Sequence, residues 1–302
     1  LRALQAVASG AVRAVTRGDG RPSRRSRAAA VVAAMLFAVG CAAQTFESGL
    51  DYAPLFEHEV DRRLNLPPDA RAEYARLLAT ALSDAQLGPL AAQFFLVVDR
   101  SPRVQAAMLY WLSEEGAYHL IGASPCSTGL PGRFEYFETP LGVFEHRVSN
   151  LDFRAEGTKN EQGVRGYGVK GMRVFDFGWV NAPRGWGDGR MGVMRLQVHA
   201  TDPDLLEWRL GSACSKGCIR IPATLNVFLD RYGLLDADYD RAAAEGRKLW
   251  MLRPDRQRSP WAGRYLVVVD SRQRVRPDWS PAPRPPNKRA PPSGQTAPRA
   301  KR

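Results

Sequence analysis

Residues 93–124 read QFFLVVDRSPRVQAAMLYWLSEEGAYHLIGAS. Three apolar runs, QFFLVVDR, VQAAMLYWLS and AYHLIGAS, are divided by Ser101-Pro102-Arg103 and by Glu114-Glu115-Gly116. Short runs rich in Val, Phe, Tyr and Trp, bounded by residues that favour turns, read as strands. Three of them in succession predict a sheet-rich body.

The pattern differs on either side. Upstream, 54–64 and 67–87 have helical spacing: Pro67-Pro68 opens the second run, and Tyr74, Leu77, Leu78, Ala81 and Leu82 fall on one face. A helical segment over 44–92 therefore precedes a body over 93–270. Downstream, GYGVKGMRVFDFGW and PRGWGDGRMG crowd glycines and aromatics into 157–192, which predicts long loops and bulged strands. A helix over 222–232 is marked by Pro222 at its start and Gly233 at its end. RKLWML (247–252) and GRYLVVVDS (263–271) are expected to close the body as strands. The class is mainly β with few helices, and no internal repeat is present.

With 302 residues, 44% hydrophobic and 9% aromatic, the chain can bury a core of one or two domains. Its net charge of +12 is unevenly spread. Residues 1–43 hold seven Arg against one Asp, and 271–302 hold nine Lys and Arg against one Asp, leaving about −2 for residues 44–270. Arg21, Arg24, Arg25 and Arg27, then the apolar Ala28 to Gly40, then VGCAAQ, form an export signal too short to span a bilayer. Cleavage there, or lipidation at Cys41, are both open, and only the second attaches the protein to a membrane. The tail, ending PAPRPPNKRAPPSGQTAPRAKR, is expected to be disordered over 271–302. Export places this basic tail among acidic envelope polymers rather than nucleic acid.

Several motifs dissolve on inspection. GYGVKG (166–171) precedes a strand-like run rather than the helix a dinucleotide site needs. GSACSKG lacks the order of a phosphate loop, and HEVDR at His58 lacks the second histidine of a zinc protease helix. If Cys41 is processed, Cys126, Cys214 and Cys218 remain, an odd number in an oxidising compartment. That directs attention to SACSKGCIRIP, Ser212 to Pro222.

An extended 212–218 would turn Cys214, Lys216 and Cys218 to one face, where the ammonium favours the thiolate. Gly217 admits a close approach, and the amides of Gly217 and Cys218 can face a developing oxyanion. A nucleophilic sulfur needs a base. Of His58, His119, His146 and His199, the last ends the apolar run MRLQVHATDP ahead of a polar loop, where a side chain can be held at a cleft. The acyl-transfer reading needs no cofactor and no metal. A zinc site from Cys126, Cys214, Cys218 and His199 is the rival chemistry. A Cys214–Cys218 disulfide does not suit an extended segment, whose ends lie ~13 Å apart, whereas Cys126 with Cys214 is open.

HAT (199–201) followed by SKGCIRIP (215–222) resembles the L,D-transpeptidase catalytic (YkuD) family, in which a His-Gly pair precedes Ser-His-Gly-Cys-Ile/Val-Arg or Asn. FLVVDRSPRVQAAMLY looks like that family's first hairpin, ASPCSTG (123–129) like its Val-Ser-Thr-Gly strand, and TPLG (139–142) like its Thr-Pro-x-Gly turn. The likeness spans about residues 93–252. It implies a β-sandwich or curled barrel, with Cys218 as nucleophile, His199 as base, and Gly217 with Cys218 as oxyanion donors. Arg220 would order polar parts of a peptide stem, with Ser215, Lys216 and Ala200 lining the same site. Ala200 stands where the family has glycine, which a backbone carbonyl orienting the His ring tolerates. Lys216 stands where the family has a second histidine. The implied reaction is ping-pong transfer through a thioester on a peptidoglycan tetrapeptide stem. The acceptor would be a second stem's amine, the lysine of an envelope protein, or water. A peptidoglycan-binding protein without turnover remains the alternative.

Overall fold

The computed structural model describes residues 46–285. The segment expected to be an export signal, Cys41 and the tail from 286 onward lie outside the described residues.

Strands β1 (Gln93–Asp99), β2 (Ala106–Leu112) and β3 (Tyr118–Pro125) form the expected antiparallel meander, with Phe95 opposite Tyr110 and Met108 opposite Ala123. The chain's last strand, β9 (Tyr265–Val269), returns parallel to β1, with Val97 opposite Val267. Outside it runs β4 (Gly142–Glu145), giving the order β3-β2-β1-β9-β4. A second sheet holds β5 (Phe153–Arg154), β6 (Arg173–Pro183), β7 (Met191–Ala200) and β8 (Ile219–Ile221) in that order. Its last pair, β7 with β8, is parallel. The named strands of the two sheets do not pair with one another, and among the described residues no barrel closes.

Side chains on a strand alternate between faces, so each face of the first sheet needs its own cover. Phe94, Leu96, Val98, Leu266 and Val268 meet Phe175, Leu196, Val198, Ile219 and Ile221 of the second sheet in one core. Phe95, Val97, Tyr265 and Val267 form a second core on the opposite face. Helix α2 (Pro68–Asp84) covers that face through Tyr74, Leu78 and Leu82. Burial on both sides explains why β1 and β2 read as unbroken apolar runs. Helix α1 (Tyr52–Glu59) puts Tyr52 and Phe56 into the first core, as helix α3 (Ala223–Tyr232) does with Phe228 and Leu229. The N-terminal helices are thus part of the body's packing rather than an appendage.

Three expectations are corrected. RKLWML is not a strand: helix α4 (Ala237–Ala244) precedes it, only Met251 of the run is buried, and the Met251 carbonyl is taken by the Arg154 guanidinium. Apolar composition without a neighbouring strand edge did not make a strand. The tail does not leave the body at 271. Trp279 packs edge-on to Tyr74, and the Ser280 hydroxyl donates to the Val104 carbonyl at 2.7 Å. Residues 212–218 are also not one extended run: the chain bends at Ser212 and again over 216–218 before β8, with a single bridge from Ser215 to Gly129 between.

Candidate functional site

Strand β7 alternates cleanly. Met194, Leu196, Val198 and Ala200 face the core, so Arg195, Gln197 and His199 share the opposite face. Strand β8 lies parallel beside it, with His199 opposite Arg220 and Val198 opposite Ile219. Cys218 immediately precedes β8, so it stands next to Gln197 in register. Strand spacing of about 4.8 Å and a two-residue offset of about 6.6 Å put the Cα atoms of Cys218 and His199 roughly 8 Å apart. The geometry therefore brings His199, Cys218 and Arg220 together.

His199 is 4% exposed, and its Nδ1 lies 2.8 Å from the carbonyl oxygen of its neighbour Ala200. A carbonyl only accepts, so Nδ1 carries the proton and Nε2 keeps its lone pair. Nε2 has no hydrogen-bond partner among the described residues. Burial pushes the imidazole pKa down to about 4, with the Arg220 charge adding to the shift. The ring is neutral at pH 7. Tyr167 packs edge-on against it, centroids 4.7 Å apart, and its hydroxyl donates to Gln197 Oε1 at 3.3 Å.

Cys218 is half-buried, and its thiol donates to the Arg195 carbonyl at 3.5 Å. Burial raises its pKa, opposed by the backbone amides of Gln197 and of Cys218 itself and by Arg220. Lys216 plays no part in this balance. Its ammonium is 62% exposed and pairs with Glu135 at 3.3 Å. The bends of the loop turn it outward, which corrects the expectation that it lies beside the sulfur. The nearby cation is Arg220, which makes no ion pair among the described residues and has a buried Nε without a partner.

The loop is held from within. Ser215 Oγ donates to the Cys218 carbonyl at 2.5 Å and accepts the Gly217 N–H at 3.0 Å. Ser215 therefore shapes the turn, and the Gly217 amide is engaged in this structure. Gly217 has φ +133°, open to glycine and costly for other residues. A Cβ there would lie 2.7 Å from the Met194 sulfur. Ala200 is fully buried and reaches the site only through its carbonyl. Cys126 is buried and Cys214 half-buried, both as free thiols. Among the described residues no group of three or more His, Cys, Asp or Glu is arranged around a metal position.

Beneath the site lies a carboxylate that the motifs did not single out. Asp176, fully buried on β6, accepts from Arg195 Nε at 2.7 Å and from Gln197 Nε2 at 2.8 Å. It also accepts the N–H of Gly178 at 2.8 Å, where β6 bulges between Asp176 and Trp179. Tyr167, Asp176, Arg195 and Gln197 thus form the floor and wall around Cys218 and His199. The signal for two of them was present in MRLQVHA, whose strict alternation puts Arg195 and Gln197 on the His199 face.

No family model matches the chain. No curated protein matches it either. Among solved structures, the helical cell shape determining protein Pgp2 from Campylobacter jejuni is similar at 13% identity with a TM-score of 0.27, over 67% of this chain and 58% of that one. A mutant of the same protein is similar at 15% identity with a TM-score of 0.26, over 67% and 57%. The match thus spans under two thirds of that protein, and scores of this size do not establish a shared fold. Among the described residues no helix is long and apolar enough to cross a membrane.

Proposed function

We propose that the chain is an exported cysteine acyltransferase of the L,D-transpeptidase type, acting on peptide stems of peptidoglycan. One observation carries the reading. A neutral imidazole, fixed by Ala200 with Nε2 unengaged, stands one strand away from a thiol and shares its face with Arg220. The motif order from His199 to Cys218 supports it from the sequence side.

In this mechanism the thiol leaves the Arg195 carbonyl and turns to Nε2. The Sγ proton passes to Nε2 as sulfur bonds to the stem's carbonyl carbon, and the carbonyl π pair moves to oxygen. The backbone N–H of Cys218 meets that oxyanion. On collapse the carbon–nitrogen bond breaks, and the imidazolium returns its proton to the leaving amine, the terminal D-Ala. A thioester on Cys218 remains. An amine from a second stem or from an envelope protein then attacks it, or water does, His199 again taking the proton. Because the thiol pKa is raised and the imidazole pKa lowered, the resting pair is neutral. His199 therefore acts as a general base rather than as the partner of a preformed thiolate. Arg220 supplies the charge for stem carboxylates.

Mass spectrometry of the protein after exposure to a carbapenem, an acylating mimic of the stem, tests this. An adduct on Cys218, absent in Cys218→Ala and slowed in His199→Gln, is expected. Its absence in the wild type rejects the reading. The engaged Gly217 amide favours a second one, stem binding without turnover. That reading requires sacculus binding and an unchanged muropeptide profile in Cys218→Ala cells.

A further inference from the structure

Two segments besides β8 grip the cysteine loop. Residues 127–129 pair with it through Ser127 to Arg220 and Gly129 to Ser215. Residues 137–139 run along its other side, where the Phe137 N–H donates to the Lys216 carbonyl at 3.1 Å. Thr139 joins all three. Its side chain is 1% exposed, its hydroxyl accepts the Gly129 N–H at 2.9 Å, and it donates to the Gly217 carbonyl at 2.6 Å.

That last bond falls on the peptide unit joining Gly217 to Cys218. A trans peptide is planar, with its C=O and N–H pointing in opposite directions. Fixing the carbonyl toward Thr139 therefore fixes the Cys218 N–H on the opposite side of the peptide plane. Gly217 has no side chain to restrict its torsions, and its φ of +133° is one that other residues rarely adopt. Ser215 occupies the Gly217 N–H and the Cys218 carbonyl. No acceptor for the Cys218 N–H is found among the described residues.

We propose that Thr139 is a positioning residue for acyl transfer: its hydroxyl locks the Gly217–Cys218 peptide plane so that the Cys218 N–H is the oxyanion donor. This rests on the acyltransferase reading above. Thr139 touches no reacting atom. It acts through the peptide plane, and its removal is felt only in steps that build negative charge on a carbonyl oxygen.

The test compares two reactions of one sulfur. Acylation by a carbapenem passes through an oxyanion. Alkylation by iodoacetamide displaces iodide and forms none. In Thr139→Val the acylation rate is expected to fall roughly tenfold to a hundredfold, while Cys218 alkylation stays within about twofold of wild type. Thr139→Ser, which restores the hydroxyl, is expected to recover most of the acylation rate. Where valine prevents folding, Thr139→Ala is compared with Thr139→Ser in the same pair of reactions. Equal losses in both reactions, or wild-type acylation without the hydroxyl, overturn the role of Thr139 alone. A wild-type protein that alkylates but never acylates overturns the acyltransferase reading, and this proposal with it.

Discussion

His199 is useful as a base because it is buried, and burial sets the pH at which it works. Its pKa of about 4 lies below the unperturbed value near 6.5. The acid limb of Cys218 acylation is therefore expected near pH 4 to 5, with the rate flat from pH 6 to 8. A limb centred at 6.5 in the pH–rate profile would mean that the ring is solvated during reaction. The same shift has a stability consequence. Between pH 6.5 and 4 the unfolded chain binds the proton that the folded imidazole refuses, so this contribution is full above 6.5 and is lost as pH falls toward 4. Gly217 gives a separate expectation. Gly217→Ala forces a side chain into a positive φ and against Met194, at a cost of order 1–3 kcal/mol. Urea denaturation measures that cost, and Cys218 acylation is expected to be lost with it. The residues carrying this chemistry were legible as types and order: a cysteine after glycine, a histidine ending an apolar strand. Asp176 was not, because a single acid in VFDFGW signals nothing until the β6 bulge brings it under Arg195 and Gln197.

Elements obey the partners they find. The meander of β1, β2 and β3 was legible because its turns are local and its strands pair with sequence neighbours. The placement of β9 was not, since a strand beginning at Tyr265 pairs with one beginning at Gln93 only through contacts that no local pattern records. RKLWML had the composition of a strand and lacked an edge to join. Helix α2 shows the opposite case, a legible element whose role was hidden. Its apolar face covers the outer side of the first sheet, with Leu78 fully buried and the Tyr74 hydroxyl on Asp99 at 2.6 Å. Leu78→Ala is expected to destabilise the whole body by about 2–5 kcal/mol. Thermal or urea unfolding should remain one cooperative transition at a lower midpoint. A separate early transition of the N-terminal helices, with the midpoint of the sheets unchanged, would show instead that they fold as an independent segment.

Across the whole molecule, the second sheet is tied to the C-terminal helices by buried charge rather than by apolar packing alone. Arg173, fully buried on β6, reaches Asp152 at 2.6 Å and Asp236 at 2.8 Å. Arg256 also pairs with Asp236, and Arg154 with Asp230 on α3. His146 holds the Leu235 carbonyl with one ring nitrogen and Asp152 with the other, each at 2.8 Å, and Asp152 raises its pKa. The Asp152 carboxylate also accepts the backbone N–H of Asp176, so the network ends on the residue whose own carboxylate lies under Cys218. His146 and Arg173 hold the Asp152 carboxyl down to about 2 against the desolvation that would raise it. Its contribution to stability is therefore full above the unfolded value near 4 and is lost as pH falls through 2. Arg173→Met keeps the volume and removes the charge. It leaves Asp152 and Asp236 buried with one charged partner fewer, a change expected to cost about 3–5 kcal/mol at pH 7. In the variant the Asp152 carboxyl loses one of the two charges that hold it down, so it takes a proton at higher pH and the penalty shrinks in acid. The difference between wild type and Arg173→Met in urea denaturation should accordingly be largest at pH 7 and clearly smaller at pH 4. A difference equal at both pH values would assign the loss to packing, and the charge network would then be incidental to how the two halves of the body hold together.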